Sequence, residues 1–312
     1  MSDIYSKNSE ILFIYDAKMC NPNGDPDDEN KPRRDYLTNK NLVSDVRLKR
    51  YIRDYLESIG FEIFVSKIDG KSVTADERLR IFFKEQGKDV NLNKLKEEDL
   101  KFILSKLIDI RFFGATLPIK GSEEGSKGVS SNFTGPIQFS WGYSLNKVDI
   151  VESSSITSTF SGKVEEYGTF GKDWRVYYSL ISFYGIISGY RAIETQLSNE
   201  DVNIFDKAII NSIPKMASTR SKIGQTPRFY LRVEYKDKET FLGDLRSFVK
   251  LDKEEELRDI NDFEINFDNL YELLTKNKEK IEKIYCFEDS ELKIKGGSFI
   301  ENIKNKFNLS IL

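Results

Sequence analysis

Two periodicities divide this chain. Strand-type segments, in which apolar, β-branched and aromatic residues cluster or alternate, lie at residues 10–16, 61–66, 134–147, 175–190, 227–236 and 283–288. The first contains Ile11-Leu12-Phe13-Ile14-Tyr15 and the third Ile137-Gln138-Phe139-Ser140-Trp141-Gly142-Tyr143. Spacings of three and four mark helices at 44–58, 94–109, 199–213 and 268–281, with further helices predicted at 75–86 and 297–307. Taken in order, the strongest elements read β-α-β-β-α-β, the ferredoxin-like order shared with RNA-recognition motifs. A mostly helical insert at 61–130 and a second insert at 148–173 interrupt that order, and a tail from 237 adds helix, strand and helix. The predicted fold class is α+β, and the order alone does not specify an activity.

Composition narrows the chemistry. The 312 residues are 39% hydrophobic and 12% aromatic, enough for a packed core. Histidine is absent, which excludes His-based triads, His-ligated metals and His general bases. Cys20 and Cys286 are the only cysteines and lack CxxC spacing, so neither a disulfide scaffold nor a cysteine zinc site is expected. No apolar run has membrane-spanning length and no signal-peptide pattern opens the chain, so a soluble, cytoplasmic protein without cofactor is expected. The net charge of -3 does not suggest a nucleic-acid binder, but the average hides segregation. Lys207, Lys215, Arg220, Lys222, Arg228 and Arg232 follow one another without an acid between them, whereas acids predominate from Lys236 to Asp289.

Basic residues gather on the predicted first helix. Ser44 or Asp45 can cap it, and Arg47, Lys49, Arg50 and Arg53 fill its first half, with Arg33 and Arg34 just upstream. Lys49, Arg50 and Arg53 recur at spacings that place them on one side. Cations there oppose the helix dipole, so the charge is expected to serve something outside the helix, a phosphate backbone first.

Other segments admit two readings. The loop from Asn21 to Pro32 carries Asp25, Asp27, Asp28 and Glu29, which suit either a metal-binding carboxylate cluster or a rigid Asx-rich turn. Gly121 to Gly128 fails the phosphate-loop order and reads as a flexible loop presenting Lys127. The polar, glycine-punctuated stretch 153–173 carries Phe160, Tyr167 and Phe170, with Lys172 near its end; its rings either stack on bases or pin the loop. Residues 215–228 offer hydroxyls, amides and the cations Lys215, Arg220, Lys222 and Arg228, which suit a phosphate chain. Asn132-Phe133-Thr134 is a glycosylation sequon, without meaning where no secretory signal is present.

Several of these motifs carry a resemblance. Asn21-Pro22-Asn23-Gly24-Asp25-Pro26, Pro32-Arg33, Leu42 to Arg50 and Gly168-Thr169-Phe170-Gly171 resemble the CRISPR-associated backbone subunits of Cascade, RAMP-superfamily proteins, with the type I-B (DevR-like) branch nearest. The likeness runs from about residue 10 to about 235, supported by the Ser218 to Lys222 loop. It implies an RRM-like palm at 1–60 and 131–236, a helical finger insertion at 61–130, a β-hairpin thumb at 148–173 and a C-terminal α/β extension at 237–312. It further implies a non-catalytic crRNA-binding protein that polymerises with copies of itself along the guide and presents it to target DNA in antiviral defence. The implied partners are a crRNA 5′-end-capping subunit, a large subunit, a small subunit and a repeat-cleaving endoribonuclease, with no membrane. Implied RNA contacts are Arg33, Arg34, Arg47, Lys49, Arg50, Arg53, Lys127, Phe160, Phe170, Lys172, Arg220, Lys222 and Arg228. The competing expectation is a metal-dependent endoribonuclease of the type III backbone kind, using Asp25 or Asp27.

Overall fold

The computed structural model describes residues 3–92, 95–117, 131–152, 155–158 and 169–312. Its fold is mixed α and β, built on one large sheet. The apolar run near the N-terminus forms the strand Ser9–Cys20, which pairs antiparallel with Val176–Ile187 on one side and Gln225–Tyr235 on the other. Beyond Val176–Ile187 lie the short strands Ile137–Phe139 and Gly142–Ser144, then Lys40–Val43 and Arg34–Asp35. On the other side, Gln225–Tyr235 pairs with Ile281–Glu288, and Leu309–Ile311 closes that edge in parallel. Ser155–Ser158 and Thr169–Lys172 form a separate antiparallel pair.

Eight α-helices occur among the described residues: α1 (Asp45–Ser58), α2 (Ala75–Glu85), α3 (Glu97–Lys106), α4 (Ile108–Phe113), α5 (Gly189–Thr195), α6 (Asn199–Met216), α7 (Asp268–Lys276) and α8 (Phe299–Ile303). Strand alternation sends Ile11, Phe13, Tyr15 and Ala17 to one face of the sheet, where α1, α4, α5 and α6 cover them. Leu12 and Ile14 point to the other face. There the tail packs, with Leu245, Ile260, Phe263, Phe267, Leu270 and Phe299 against Phe229, Leu231 and Val233. Residues 64–117 form a third, smaller core around Leu79, Phe82, Phe83, Ile103 and Leu107.

Two buried acids hold these layers. Asp206 of α6 receives Arg232 in a bidentate pair (Nε–Oδ1 2.8 Å, Nη2–Oδ2 2.7 Å) and the Tyr230 hydroxyl at 2.6 Å. The Arg232 guanidinium is 1% exposed and lies 3.7 Å from the Tyr285 ring centroid. Glu10 does the same for the other face. It accepts from the Tyr184 and Tyr235 hydroxyls and from the Leu242 and Gly243 amides, so the tail is tied to the first strand where it crosses the sheet.

Several elements differ from the sequence expectation. Residues 61–66 form no strand. Their apolar alternation arises because Ile63 enters the helix-covered core and Phe64 the third core, while Asp109 accepts the Phe64 and Val65 amides at 2.8 and 3.2 Å. The helix expected at 94–109 breaks at Leu107, whose extended backbone (φ −94, ψ 95) separates α3 from α4. The strand expected at 134–147 splits around Ser140–Trp141, and the one expected through 190 ends at Ile187, where Ser188 caps α5. α6 continues past 213 through Pro214 to Met216, whereas α7 and α8 are shorter than expected.

Removing one partner of a buried ion pair strands the other charge. Asp206→Ala is therefore expected to destabilise the fold by about 3–5 kcal/mol, read as a lowered denaturation midpoint. An unchanged midpoint would show that Arg232 finds water or another acid.

Candidate nucleic-acid interface

The first strand ends at Cys20, and the segment Asn21-Pro22-Asn23-Gly24 leaves the sheet to join four elements. The Ser44 amide and hydroxyl, at the start of α1, both donate to Asn23 Oδ1 at 2.9 and 3.0 Å. Ser44 is thus the N-cap residue, but its hydroxyl holds the loop and does not cap the helix. The Asn23 carbonyl accepts the Arg33 amide at 3.0 Å, and Asn21 Nδ2 donates to the Asn30 carbonyl at 2.7 Å. The Asn21 amide donates to the Ser221 carbonyl and the Lys18 amide to the Gly224 carbonyl, both at 2.8 Å. Gly224 has φ +108°, and a Cβ there would meet the Lys18 carbonyl oxygen at 2.3 Å, so this junction requires glycine.

Lys222 sits at the centre of this arrangement. Its Nζ donates to the Asn21 carbonyl at 2.6 Å and the Pro22 carbonyl at 3.4 Å. Burial, together with the nearby Arg47 guanidinium, lowers its pKa to about 8. Arg47 lies over the Tyr51 ring at 3.9 Å, and its buried Nε has no hydrogen-bond partner. The Nε atoms of Arg33 and Arg34 are also buried without a partner. Two cations held close without an acid, beside unpartnered N–H groups, form a site suited to an anion.

The other expected contacts divide by their partners. Lys49 is 8% exposed; its Nζ donates to Asp45 (3.0 Å) and Gln138 Oε1 (2.8 Å). Arg53 pairs with buried Asp109 at 2.9 Å, and Arg50 donates to the Val65 carbonyl at 3.0 Å and pairs with Asp54. Lys49, Arg50 and Arg53, expected to project together towards an external phosphate, thus each have partners within the chain, with Arg50 the most exposed of the three. Their charge is engaged within the chain, and Arg50 and Arg53 fasten the 61–117 region to α1. Arg228 is likewise internal, bonded to Asp16 (2.8 Å), Asp289 (3.1 Å) and Glu291 (2.6 Å), so the acid-free run of the sequence meets acids from elsewhere in the fold. Arg33 pairs with Asp25 at 3.3 Å, Lys172 with Glu29 at 2.6 Å and Arg220 with Asp173 at 3.0 Å; the last two cations are exposed. Among the described residues, Arg34, Arg47 and Lys222 are the expected contacts without a carboxylate partner. Lys127, Phe160 and the Phe170 side chain lie outside the described residues.

The acids of the 25–29 loop are dispersed. Asp25 takes Arg33 and the Asp27 amide, Asp28 takes Lys31 and the Tyr36 hydroxyl, and Glu29 takes Lys172. Among the described residues, no three acidic or thiol side chains are grouped to hold a metal ion. No pattern in the sequence marks Trp141 and Trp174 as companions of these cations. Arg33 lies 5.7 Å from the Trp141 ring, and Lys31 and Lys172 lie 5.1 and 5.9 Å from that of Trp174.

The Lys222 ammonium is expected to titrate near pH 8, and Arg47→Ala to move that midpoint upward. Both are measurable from the lysine side-chain nitrogen resonance, assigned with Lys222→Arg. A midpoint at the ordinary lysine value of 10.5 would contradict the burial of this ammonium beside Arg47.

A family model described as "CRISPR-associated protein Cas7" matches residues 7–268. A protein of Haloferax volcanii named "CRISPR-associated protein Cas7" is 34% identical over 300 residues, covering 92% of this chain and 88% of its own. Two solved chains are more distant. One, titled "CRISPR RNA-guided surveillance complex", has 14% identity and a TM-score of 0.47 over 93% of this chain and 95% of its own. The other, titled "CRISPR RNA-guided surveillance complex, pre-nicking", has 12% identity and a TM-score of 0.49 over 96% and 98%. The family match and the Haloferax relative each span most of the sequence, and the chain belongs to the Cas7 family of CRISPR-associated proteins.

Proposed function

We propose that this chain is the non-catalytic crRNA-binding backbone subunit of a type I-B Cascade surveillance complex. Copies polymerise along the guide RNA and present it for pairing with target DNA. The observation that carries this reading is the pair Arg47 and Lys222, cations without a carboxylate partner held close together at the Asn21–Gly24 junction, with Arg34, also without one, next in sequence to Arg33, whose amide donates to the Asn23 carbonyl. Lys172 and Arg220 extend the stripe by exchanging their acids for phosphates, since ion pairs of exposed cations contribute little. Phosphate contacts carry no sequence information, which suits a protein that must hold any guide. Target reading is then left to base pairing.

The sheet order supports an RRM-like palm: Gln225–Tyr235, Ser9–Cys20, Val176–Ile187 and Ile137–Ser144 lie side by side, with α1 and α6 on one face. Residues 61–130 would be the fingers and 148–173 the thumb, of which 93–94, 118–130, 153–154 and 159–168 lie outside the described residues. The tail buries the sheet face on which RNA-recognition motifs stack bases, so the guide runs past the end of the first strand, not over the sheet. The remaining proposed partners are the 5′-end-capping, large and small subunits and the repeat-cleaving endoribonuclease. A non-catalytic role accords with the separate ion pairs of Asp25, Asp28 and Glu29.

Replacing Arg47 and Lys222 together by Gln is expected to weaken single-stranded RNA of every sequence alike. The log–log salt slope should flatten by about 0.7 for each phosphate no longer held. Phosphate favours the protonated Lys222, so wild-type affinity should fall as pH rises through about 8, and Lys222→Arg should remove that fall. Binding and salt dependence unchanged in the double variant would contradict this reading.

A further inference from the structure

The tail segment from Asp252 to Glu264 holds seven acids against two cations. Leu257, Ile260 and Phe263 seat it in the core on the tail face of the sheet, and the Lys147 amide donates to the Glu254 carbonyl at 2.8 Å. Its acids therefore stand at fixed places on the surface. Glu254 takes the Lys40 ammonium at 2.9 Å, Glu255 takes Lys147 at 2.5 Å and Asp259 takes Lys18 at 2.5 Å. The three lysines come from distant stretches of the chain, the strand Ser9–Cys20, the strand Lys40–Val43 and the residues after Gly142–Ser144, yet all meet this one segment.

These lysines border the cations that lack an acid. Lys40 pairs in register with Asp35, next in sequence to Arg34. The Lys18 amide donates to the Gly224 carbonyl at 2.8 Å, within the junction around Lys222. Arg258 of the same segment lines one surface cleft with Lys31 and Arg34. Without the acids, the basic surface would continue from the junction onto the tail face. The side chains of Lys18 and Lys147 are 52% and 48% exposed, and ion pairs so exposed add little to a segment already held by buried apolar residues. Their consequence is electrostatic.

We infer that Glu254, Glu255 and Asp259 are specificity-determining residues, which occupy Lys40, Lys147 and Lys18 and so confine phosphate binding to the junction of Arg47 and Lys222. The inference rests on the RNA-binding reading above and adds to it residues that oppose binding. Phosphate contacts carry no sequence information, so they cannot by themselves reject a strand lying on the wrong track. Like charge along that track can. Lys172 and Arg220 each face a single acid, whereas a phosphate at Lys18, Lys40 or Lys147 would face a segment in which acids are in excess.

The test measures binding of a short single-stranded RNA to the full chain over a range of salt. Glu254→Gln, Glu255→Gln and Asp259→Asn together are expected to tighten binding about tenfold at low salt and to steepen the log–log salt slope by about 0.7 for each lysine released. Asn at 259 keeps an acceptor for the Asn261 amide. Lys18→Gln, Lys40→Gln and Lys147→Gln together should leave wild-type affinity unchanged and abolish the gain in the acid variant, the coupling that masking requires. Should the acid variant fail to fold, Glu255→Gln, at a side chain 64% exposed, carries the same expectation for Lys147 alone. Unchanged affinity and slope in the acid variants, a gain that survives loss of the lysines, or weaker binding by the lysine variant of the wild type would each overturn the masking and leave the RNA-binding reading intact. Absence of RNA binding by the wild-type chain and all variants would overturn both.

Discussion

The enclosure of the strand Ser9–Cys20 is the constraint from which the rest follows. It has a paired neighbour on each edge, α1, α4, α5 and α6 against one face and the tail against the other. Nothing can reach it except at its end. A sheet that is open on one face can offer its own aromatic side chains to a ligand; this one has used them to bind its tail. The polar chemistry is displaced to Asn21-Pro22-Asn23-Gly24, where the chain first leaves the sheet and where the start of α1, the 30–33 segment and the 221–224 segment are hydrogen-bonded together. Glu10, near the opposite end of the same strand, secures the closure by binding both neighbouring strands and the tail.

Electrostatics follows the same geometry. Several of the cations that crowd the sequence near α1 and the 207–232 run are neutralised by acids from other elements: Arg53 by Asp109, Arg228 by Asp16, Asp289 and Glu291, Arg232 by Asp206. The acidic tail does similar service, with Glu254, Glu255 and Asp259 taking Lys40, Lys147 and Lys18. Subtracting these pairs leaves a small set of unmatched positive groups. One of them, Lys222, is buried beside another, Arg47, and burial together with that neighbouring charge lowers the lysine pKa. A protein with net negative charge can thus still present a localised anion site.

The main strands, α1 and α6 were legible because burial of a strand or helix writes a period into the sequence, as Ile11 to Tyr15 and the apolar positions of α1 do. The class α+β was legible for the same reason. Residues 61–66 misled because serving two cores imitates alternation, and Leu107 misled because its burial preserved helical spacing while its backbone turned extended. The candidate site was marked in the sequence only by its residue types. The Asn21–Gly24 motif, Arg34, Arg47 and Lys222 lie where the chain's chemistry is concentrated, but local sequence could not reveal that Lys49 and Arg53 would turn inward to Gln138 and Asp109, residues remote in sequence. Trp174 was invisible as a companion of the cations because a single tryptophan has no period, and only the tertiary fold brings it beside Lys31 and Lys172.

A chain that holds guide RNA through the phosphate backbone should retain that RNA through purification. The decisive experiment is to sequence the nucleic acid that copurifies with the tagged protein when it is expressed with its neighbouring genes and a CRISPR array. Discrete RNAs with a repeat-derived end and variable spacers are the expected result. Protein free of RNA, or carrying bulk RNA of random sequence, would contradict guide binding.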